Sequence, residues 1–129
     1  MSDKFIIEII TPDKTILKSE ATEATIPSFE GQMSILKDHI PLITFLRPGI
    51  ISVQNQEEKK YFVEEGTVEF SDNNLLILTS TVNDLKNMEK NHINVLIDQA
   101  EKKLKDSSLS DKDKYVMSYK IDTLKEINQ

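Results

Sequence analysis

The chain has 129 residues, 22 acidic side chains against 16 basic ones, and a formal net charge of −6 at pH 7. That length holds one compact domain, or a domain with an appendage, and excludes a two-domain enzyme. The acidic balance argues against nucleic acid and anionic lipid as partners, and the absence of cysteine excludes disulfides and thiolate metal sites and suits a reducing cytoplasm.

Met1-Ser2-Asp3-Lys4 lead directly into an alternating apolar pattern, which predicts no signal peptide or transit segment. Phe5 to Ile10 reads as a strand closed by the turn formers Thr11-Pro12-Asp13, with a second strand at Thr15 to Ser19. Thr22 to Pro27 alternates as a half-buried strand does. From Ile26 to Ile51 the backbone-special residues concentrate: two of three glycines (Gly31, Gly49) and three of four prolines (Pro27, Pro41, Pro48). Glycine admits positive φ or close approach, and proline fixes φ and removes a ladder donor, so the corners of the fold belong here. Strands are predicted near Gln32 to Leu36 and Leu42 to Leu46. Lys37-Asp38-His39-Ile40-Pro41 is the loop between them, with Ile40 left exposed beside a proline.

Gly49 to Gln54 and Lys60 to Val63 form a predicted hairpin around the polar tract Asn55 to Lys60. Val68 to Phe70 and Leu75 to Thr79 form another around Ser71-Asp72-Asn73-Asn74. Eight to ten short strands at this spacing argue for an antiparallel sandwich or barrel. After Val82 neither Gly nor Pro occurs again. Met88, Ile93, Leu96 or Ile97, Ala100 and Leu104 recur at the period of one helix face. Asp106-Ser107-Ser108-Leu109 interrupts it, Ser110 with Asp113 forms a capping box, and Met117, Ile121 and Leu124 continue a second face. The fold class read here is α+β, an N-terminal antiparallel sandwich or barrel over residues 1–84 and a C-terminal α-helical hairpin over 85–129. Two narrow apolar stripes bury only a few side chains at about 1.5 to 3 kcal/mol each before ordering entropy is subtracted, so the hairpin must dock on the sandwich or on a partner.

No catalytic, cofactor or metal site is legible. The two histidines, His39 and His92, have no second imidazole or carboxylate cluster at ligand spacing, and His92 reads as a solvated surface residue. The glycines are isolated, so no phosphate loop is present, and no serine or carboxylate shows the spacing of a nucleophile and its base. No apolar run approaches the roughly 20 residues that cross a bilayer, which predicts no direct membrane insertion.

Ile26-Pro27, Gly31, Ile35-Leu36, His39, Pro41-Leu42, Leu46 and Pro48-Gly49, in this order and spacing, resemble the signature of the epsilon subunits of rotary, F-type ATP synthases of the bacterial kind. Ile10-Thr11-Pro12-Asp13 and Ser19-Glu20-Ala21 resemble the opening strand pair of that family. Phe62-Val63, Gly66, Val68-Glu69 and Leu75 to Leu78 resemble its later strand block. Ser34, Lys37-Asp38 and Glu65 depart from its usual pattern, which bears on loop conformation more than on fold.

The resemblance favours a β-sandwich over a barrel and implies a non-catalytic central-stalk subunit that couples proton flow to ATP synthesis. Its sandwich would bind the gamma subunit and rest on the membrane-embedded ring of proton-carrying subunits, peripherally at the cytoplasmic face of a bacterial plasma membrane. Gln32, Lys37, Asp38, His39, Ile40 and Pro41 match the family's ring contact, although the loop residues alone also fit a tight structural turn with a solvated His39. Lys102, Lys103, Lys105, Lys112, Lys114, Lys120 and Lys125 read either as a solvated face with i to i+4 pairing or, as the family implies, as a regulatory surface that meets the catalytic alpha/beta subunits and restrains ATP hydrolysis. Some members bind ATP through Ile-Asp-x-x-Arg-Ala on the first helix. Ile93-Asn94-Val95-Leu96-Ile97-Asp98 keeps only the Ile, and Arg47 is the sole arginine, so no nucleotide cofactor is expected. The rival reading is a free-standing β-sandwich adaptor or ligand-binding domain with a helical appendage.

Overall fold

A computed structural model describes residues 3–128; Met1, Ser2 and Gln129, at the outer ends of the two predicted domains, lie outside the described residues. The strands are β1 (Phe5–Ile10), β2 (Thr15–Ala21), β3 (Glu23–Ser28), β4 (Gly31–Ile35), β5 (Leu42–Leu46), β6 (Gly49–Gln54), β7 (Glu58–Val63), β8 (Gly66–Ser71), β9 (Asn74–Leu78) and β10 (Val82–Asp84). A 3-10 turn at Leu85–Asn87 leads to the helices α1 (Lys90–Leu104) and α2 (Asp111–Ile127). A β-sandwich followed by a helical hairpin is therefore the architecture, the one of the two all-strand alternatives that the family resemblance favours.

The strands run in the order β10-β7-β6-β3-β5-β8-β9-β1-β2, with β4 paired to β3. The corner lies in β3. Its Ala24 and Thr25 pair with both β6 and β4, whereas Ser28 opposes Leu46 of β5. Pro27 sits just before that change of partner, where a missing N–H does least damage to a ladder. Among the described residues every ladder is antiparallel except one: β1 runs parallel to β9, from Ile6 opposite Asn74 to Ile10 opposite Leu78. Parallel neighbours need a long connection, and here all the intervening strands supply it, which spacing alone does not reveal.

Alternation places Phe5, Ile7 and Ile9 of β1 inward with Ile26, Ile35, Ile51, Val63, Val68 and Ile77 in one core. Phe5 and Phe70 meet edge to face within it, centroids 5.8 Å apart. Several strands exceed their apolar runs because ladders continue over polar or small residues, as at Gln54 opposite Glu58 and Leu46 opposite Gly66. On β7, Tyr61 and Val63 face this core while Phe62 faces the other way, into a second cluster with Ile93 of α1 and Leu124 of α2. Leu85, Met88, Leu96, Ile97 and Ile127 surround it. The hairpin is thus docked on the outer face of the sandwich through fully buried aliphatic groups.

Helix α1 starts at Lys90, two residues later than the apolar period suggests, because Met88 and Glu89 are extended and Glu89 makes no side-chain cap. Helix α2 starts as its capping signal predicts: Ser110 accepts a hydrogen bond from the Asp113 N–H at 3.1 Å. Between the helices Asp106 accepts both the N–H (2.9 Å) and the hydroxyl (2.7 Å) of Ser108. These bonds hold its carboxyl below the ordinary value.

Candidate functional site: a presented loop, an apolar stripe and a docked hairpin

The loop after β4 is held from both ends. Ile35 is buried in the core, and the His39 N–H donates to the Leu36 carbonyl at 3.1 Å, closing a turn in which Asp38 takes φ 66. Asp38 meets the β8–β9 turn, where Asp72 (φ 51) and Asn73 (φ 59) both occupy the left-handed region, the requirement of a two-residue type I′ hairpin. The Asp38 N–H donates to Asn73 Oδ1 at 2.7 Å, and Asn73 Nδ2 donates to Asp38 Oδ1 at 3.0 Å.

His39 is half-buried rather than solvated. Its ring stands edge-on to Phe70, centroids 5.9 Å apart at 88°, and its Nδ1 lies 2.7 Å from the Ile40 carbonyl oxygen. Above this pedestal Ile40 is 74 % exposed and Leu36 53 %. Lys37, Asp38, Ile40 and Pro41 are exposed with them. Gln32 is exposed on the same side of β4 as Ser34 and Leu36, yet apart from the loop tip: it lines a cleft of about 450 Å³ with Arg47, Glu58, Lys60 and Tyr119.

Sequence reasoning missed the neighbouring surface. Strand β5 turns Ile43 (74 % exposed) and Phe45 (60 %) outward. Phe45 lies opposite Thr67 of β8, which lies opposite the exposed Leu78 of β9. The signal was present, since Leu42-Ile43-Thr44-Phe45-Leu46 has apolar residues in its outward positions, but an unbroken run reads as an interior strand. At the end of this stripe Phe29, Phe45, Leu46 and Thr67, with Lys112 and Val116 of α2, enclose an open cleft of about 570 Å³.

The hairpin's lysines are dispersed. Lys102, Lys103, Lys105, Lys112, Lys114 and Lys125 are exposed, and Lys102 pairs with Asp98 one turn back at 3.2 Å. Lys120 differs: its Nζ reaches Glu64 of the sandwich at 2.7 Å, both side chains largely covered. Next to it Arg47 sits over the Tyr119 ring at 4.0 Å and donates to the Tyr115 hydroxyl at 3.3 Å. That bond first, and one involving Tyr119 second, lower the Tyr115 phenol from its ordinary value. Burial, then the charge of Asp84, raises that of Tyr61. In the stretch aligned with the nucleotide motif, Ile93 is buried in the docking cluster and Asn94 accepts from Asn128 at 2.8 Å. Among the described residues no group of three or more His, Asp or Glu is arranged to hold a metal ion. No helix among them is long and apolar enough to cross a membrane.

The family model described as ATP synthase, Delta/Epsilon chain, beta-sandwich domain matches residues 4–84. The ATP synthase epsilon chain of Pelagibacter ubique is 48 % identical, the alignment covering 99 % of this chain and 100 % of that one. The epsilon chain of Rhizobium leguminosarum bv. trifolii is 30 % identical over 84 % of this chain and 82 % of its own. Among solved structures, a chain of the Euglena gracilis mitochondrial ATP synthase (OSCP/F1/c-ring) superposes with a TM-score of 0.77 at 19 % identity, covering 97 % of this chain and 79 % of that one. A chain of the Tetrahymena thermophila mitochondrial ATP synthase central stalk and c-ring superposes at 0.71 with 18 % identity, covering 96 % of each. At those identities the superpositions speak to fold alone.

Proposed function

Since the chain belongs to the ATP synthase delta/epsilon family, we propose that its sandwich binds the gamma subunit through the Ile43–Phe45–Leu78 stripe and rests on the membrane-embedded ring through Lys37 to Pro41, with Gln32 at the margin. The chain is a non-catalytic stalk subunit of an ATP synthase, a membrane-associated complex, as the relatives that match it over 84 to 99 % of its length are epsilon chains of that enzyme. Within the proposal, it couples proton flow in the ring to ATP synthesis mechanically, from the cytoplasmic face of a bacterial plasma membrane.

The observation that carries this reading is that most of the large apolar side chains left exposed lie on the β4–β5 loop and on strands β5 and β9. Leu36, Ile40, Ile43, Phe45 and Leu78 are exposed large aliphatic or aromatic side chains on a loop and strands fixed by ladders. Contiguous apolar surface of this kind marks a partner interface. The stripe lies on paired strands, whereas the loop presents the aliphatic side chains of Leu36 and Ile40 on a hydrogen-bonded pedestal. This arrangement suits a permanent contact beside one under mechanical load. The hairpin lysines, exposed on the docked hairpin except for Lys120, would meet acidic segments of the catalytic alpha/beta subunits when the hairpin extends, restraining ATP hydrolysis. Such partly desolvated pairs are worth more than exposed ones.

Co-purification of the tagged chain from its native membranes in mild detergent tests the proposal. Recovery of gamma with the catalytic subunits is the expected result. Recovery of the chain alone from the soluble fraction would favour a free-standing adaptor.

A further inference from the structure

One cluster, bordering the proposed partner surfaces, joins elements remote in sequence. Phe29, in the β3–β4 turn, stacks on Tyr115 of α2 with centroids 5.8 Å apart at 20°. Tyr115 meets Tyr119, one helical turn on, at 4.7 Å and 61°. Arg47, between β5 and β6, closes the series over the Tyr119 face at 4.0 Å while its Nη1 donates to the Tyr115 hydroxyl at 3.3 Å. It is the only arginine of the chain. Beside the series, Lys120 and Glu64 add the ion pair at 2.7 Å.

We propose that this ladder, Phe29–Tyr115–Tyr119–Arg47, is the releasable fastening of the hairpin on the sandwich, with Arg47 as the residue that sets how often α2 is undocked. The hairpin is attached at two unlike places. Near the end of α2 the Phe62–Ile93–Leu124 cluster is buried and depends only on area removed from water. Toward the start of α2 the attachment is a directional stack at the surface, with Tyr115 38 % exposed. Because a guanidinium is planar, it can lie on one ring and donate to a second hydroxyl at the same time, which an ammonium cannot. Contacts of this strength lie close to balance with the entropy of the side chains they order, so a single substitution shifts the docked population measurably. The fastening is a property of the isolated chain. Its regulatory consequence, that release frees the hairpin to restrain hydrolysis, rests on the proposed function.

Residue-resolved amide hydrogen exchange on the full-length chain tests it. Arg47→Gln should speed exchange along α2 by about two- to thirty-fold, the range of one cation–π contact from exposed to desolvated, while β1 and β9 keep their protection. Tyr119→Leu should match it, and Arg47→Lys should fall between. Tyr119→Phe, which keeps the ring face, should stay within about two-fold of the parent. The double variant Arg47→Gln/Tyr119→Leu should exchange more slowly than the product of the two single effects, because the two residues share one contact. Unchanged α2 exchange in Arg47→Gln would overturn the proposal, as would single effects that multiply, or α2 and β1 amides that speed up together. ATP hydrolysis by the assembled complex is read separately: faster α2 exchange with unaltered hydrolysis leaves the fastening standing and removes the regulatory reading.

Discussion

Asp38 and Asn73, 35 positions apart, exchange two hydrogen bonds across the mouth of the sandwich, backbone N–H to Oδ1 at 2.7 Å and Nδ2 to Oδ1 at 3.0 Å. Both residues hold positive φ, so the clamp ties a left-handed loop residue to a left-handed turn residue. Each conformation is uncommon outside Gly, Asn and Asp. Asn73→Ala loses the clamp and also strains the turn, and should cost about 1–3 kcal/mol in urea unfolding. Asn73→Gly loses the clamp but suits the second position of a type I′ turn, so its loss should be smaller by about 1 kcal/mol. In both variants the Asp38 amide should exchange faster; if it does not in Asn73→Gly, the clamp does not hold the loop.

Gly49 is a site of close approach. A Cβ there would stand 2.5 Å from Pro27 Cβ and 2.8 Å from Pro27 Cγ, and the proline ring at the corner of β3 cannot swing aside. Gly49→Ala should therefore destabilise the sandwich by about 1–3 kcal/mol, the usual consequence of overpacking. A urea midpoint equal to the parent's would show that the corner yields.

Leu124 is fully buried between Phe62 and Ile93. Leu124→Ala should cost about 2–5 kcal/mol, and the loss should appear in the hairpin first, since Phe62 is the member of that cluster on the sandwich. Limited proteolysis should cut between Lys90 and Lys125 while a fragment containing the strands persists. Simultaneous loss of both parts would mean that they unfold as one unit.

Much of this fold is legible in the sequence, and the exceptions share a cause. Gly, Pro and Asn mark the turns because their backbone preferences are local, and Ser110 marks the start of α2 because its hydroxyl answers an N–H three residues on. The parallel β1–β9 ladder, the Asp38–Asn73 clamp and the Phe29–Tyr115–Tyr119–Arg47 ladder are pairings between distant segments, and no spacing encodes them. Arg47 was visible only as the sole arginine. Tyr115 and Tyr119 stand four apart on α2, a spacing that shares a helix face but names no partner. The outward Ile43 and Phe45 escaped for the opposite reason: their locality was clear, but an apolar run carries no label for which side is covered.

Tyr61 and Tyr115 should titrate on opposite sides of the ordinary phenol value of about 10. Tyr61, buried and facing Asp84, holds its proton longer in the folded chain than in the unfolded one. The stability this contributes is complete below the unfolded value of about 10 and is lost as pH rises from there through the higher folded value. Tyr61→Phe should flatten that alkaline decline in thermal melts above about pH 10. Tyr115, hydrogen-bonded by Arg47, ionises earlier, so Arg47→Gln should move its step in the absorbance titration upward. A step that does not move would mean that Arg47 does not reach the phenol in solution.

Ile40 gives the most direct test of the proposed ring contact. It is 74 % exposed and lies on a loop whose shape comes from Asp38, Asn73 and His39 rather than from its own side chain, so Ile40→Asp should leave unfolding within about 0.5 kcal/mol of the parent. Placing a carboxylate in an apolar contact should nevertheless weaken association with the ring, since a buried unpaired charge costs several kcal/mol. Ile43→Asp, on the stripe assigned to gamma, should spare the ring contact and weaken gamma instead. Measured by ring and gamma recovery and by proton-driven ATP synthesis in inverted membranes, the two variants should fail at different interfaces. If Ile40→Asp retains both the ring and full coupled synthesis, the loop from Lys37 to Pro41 is a structural turn and the ring contact lies elsewhere on the sandwich.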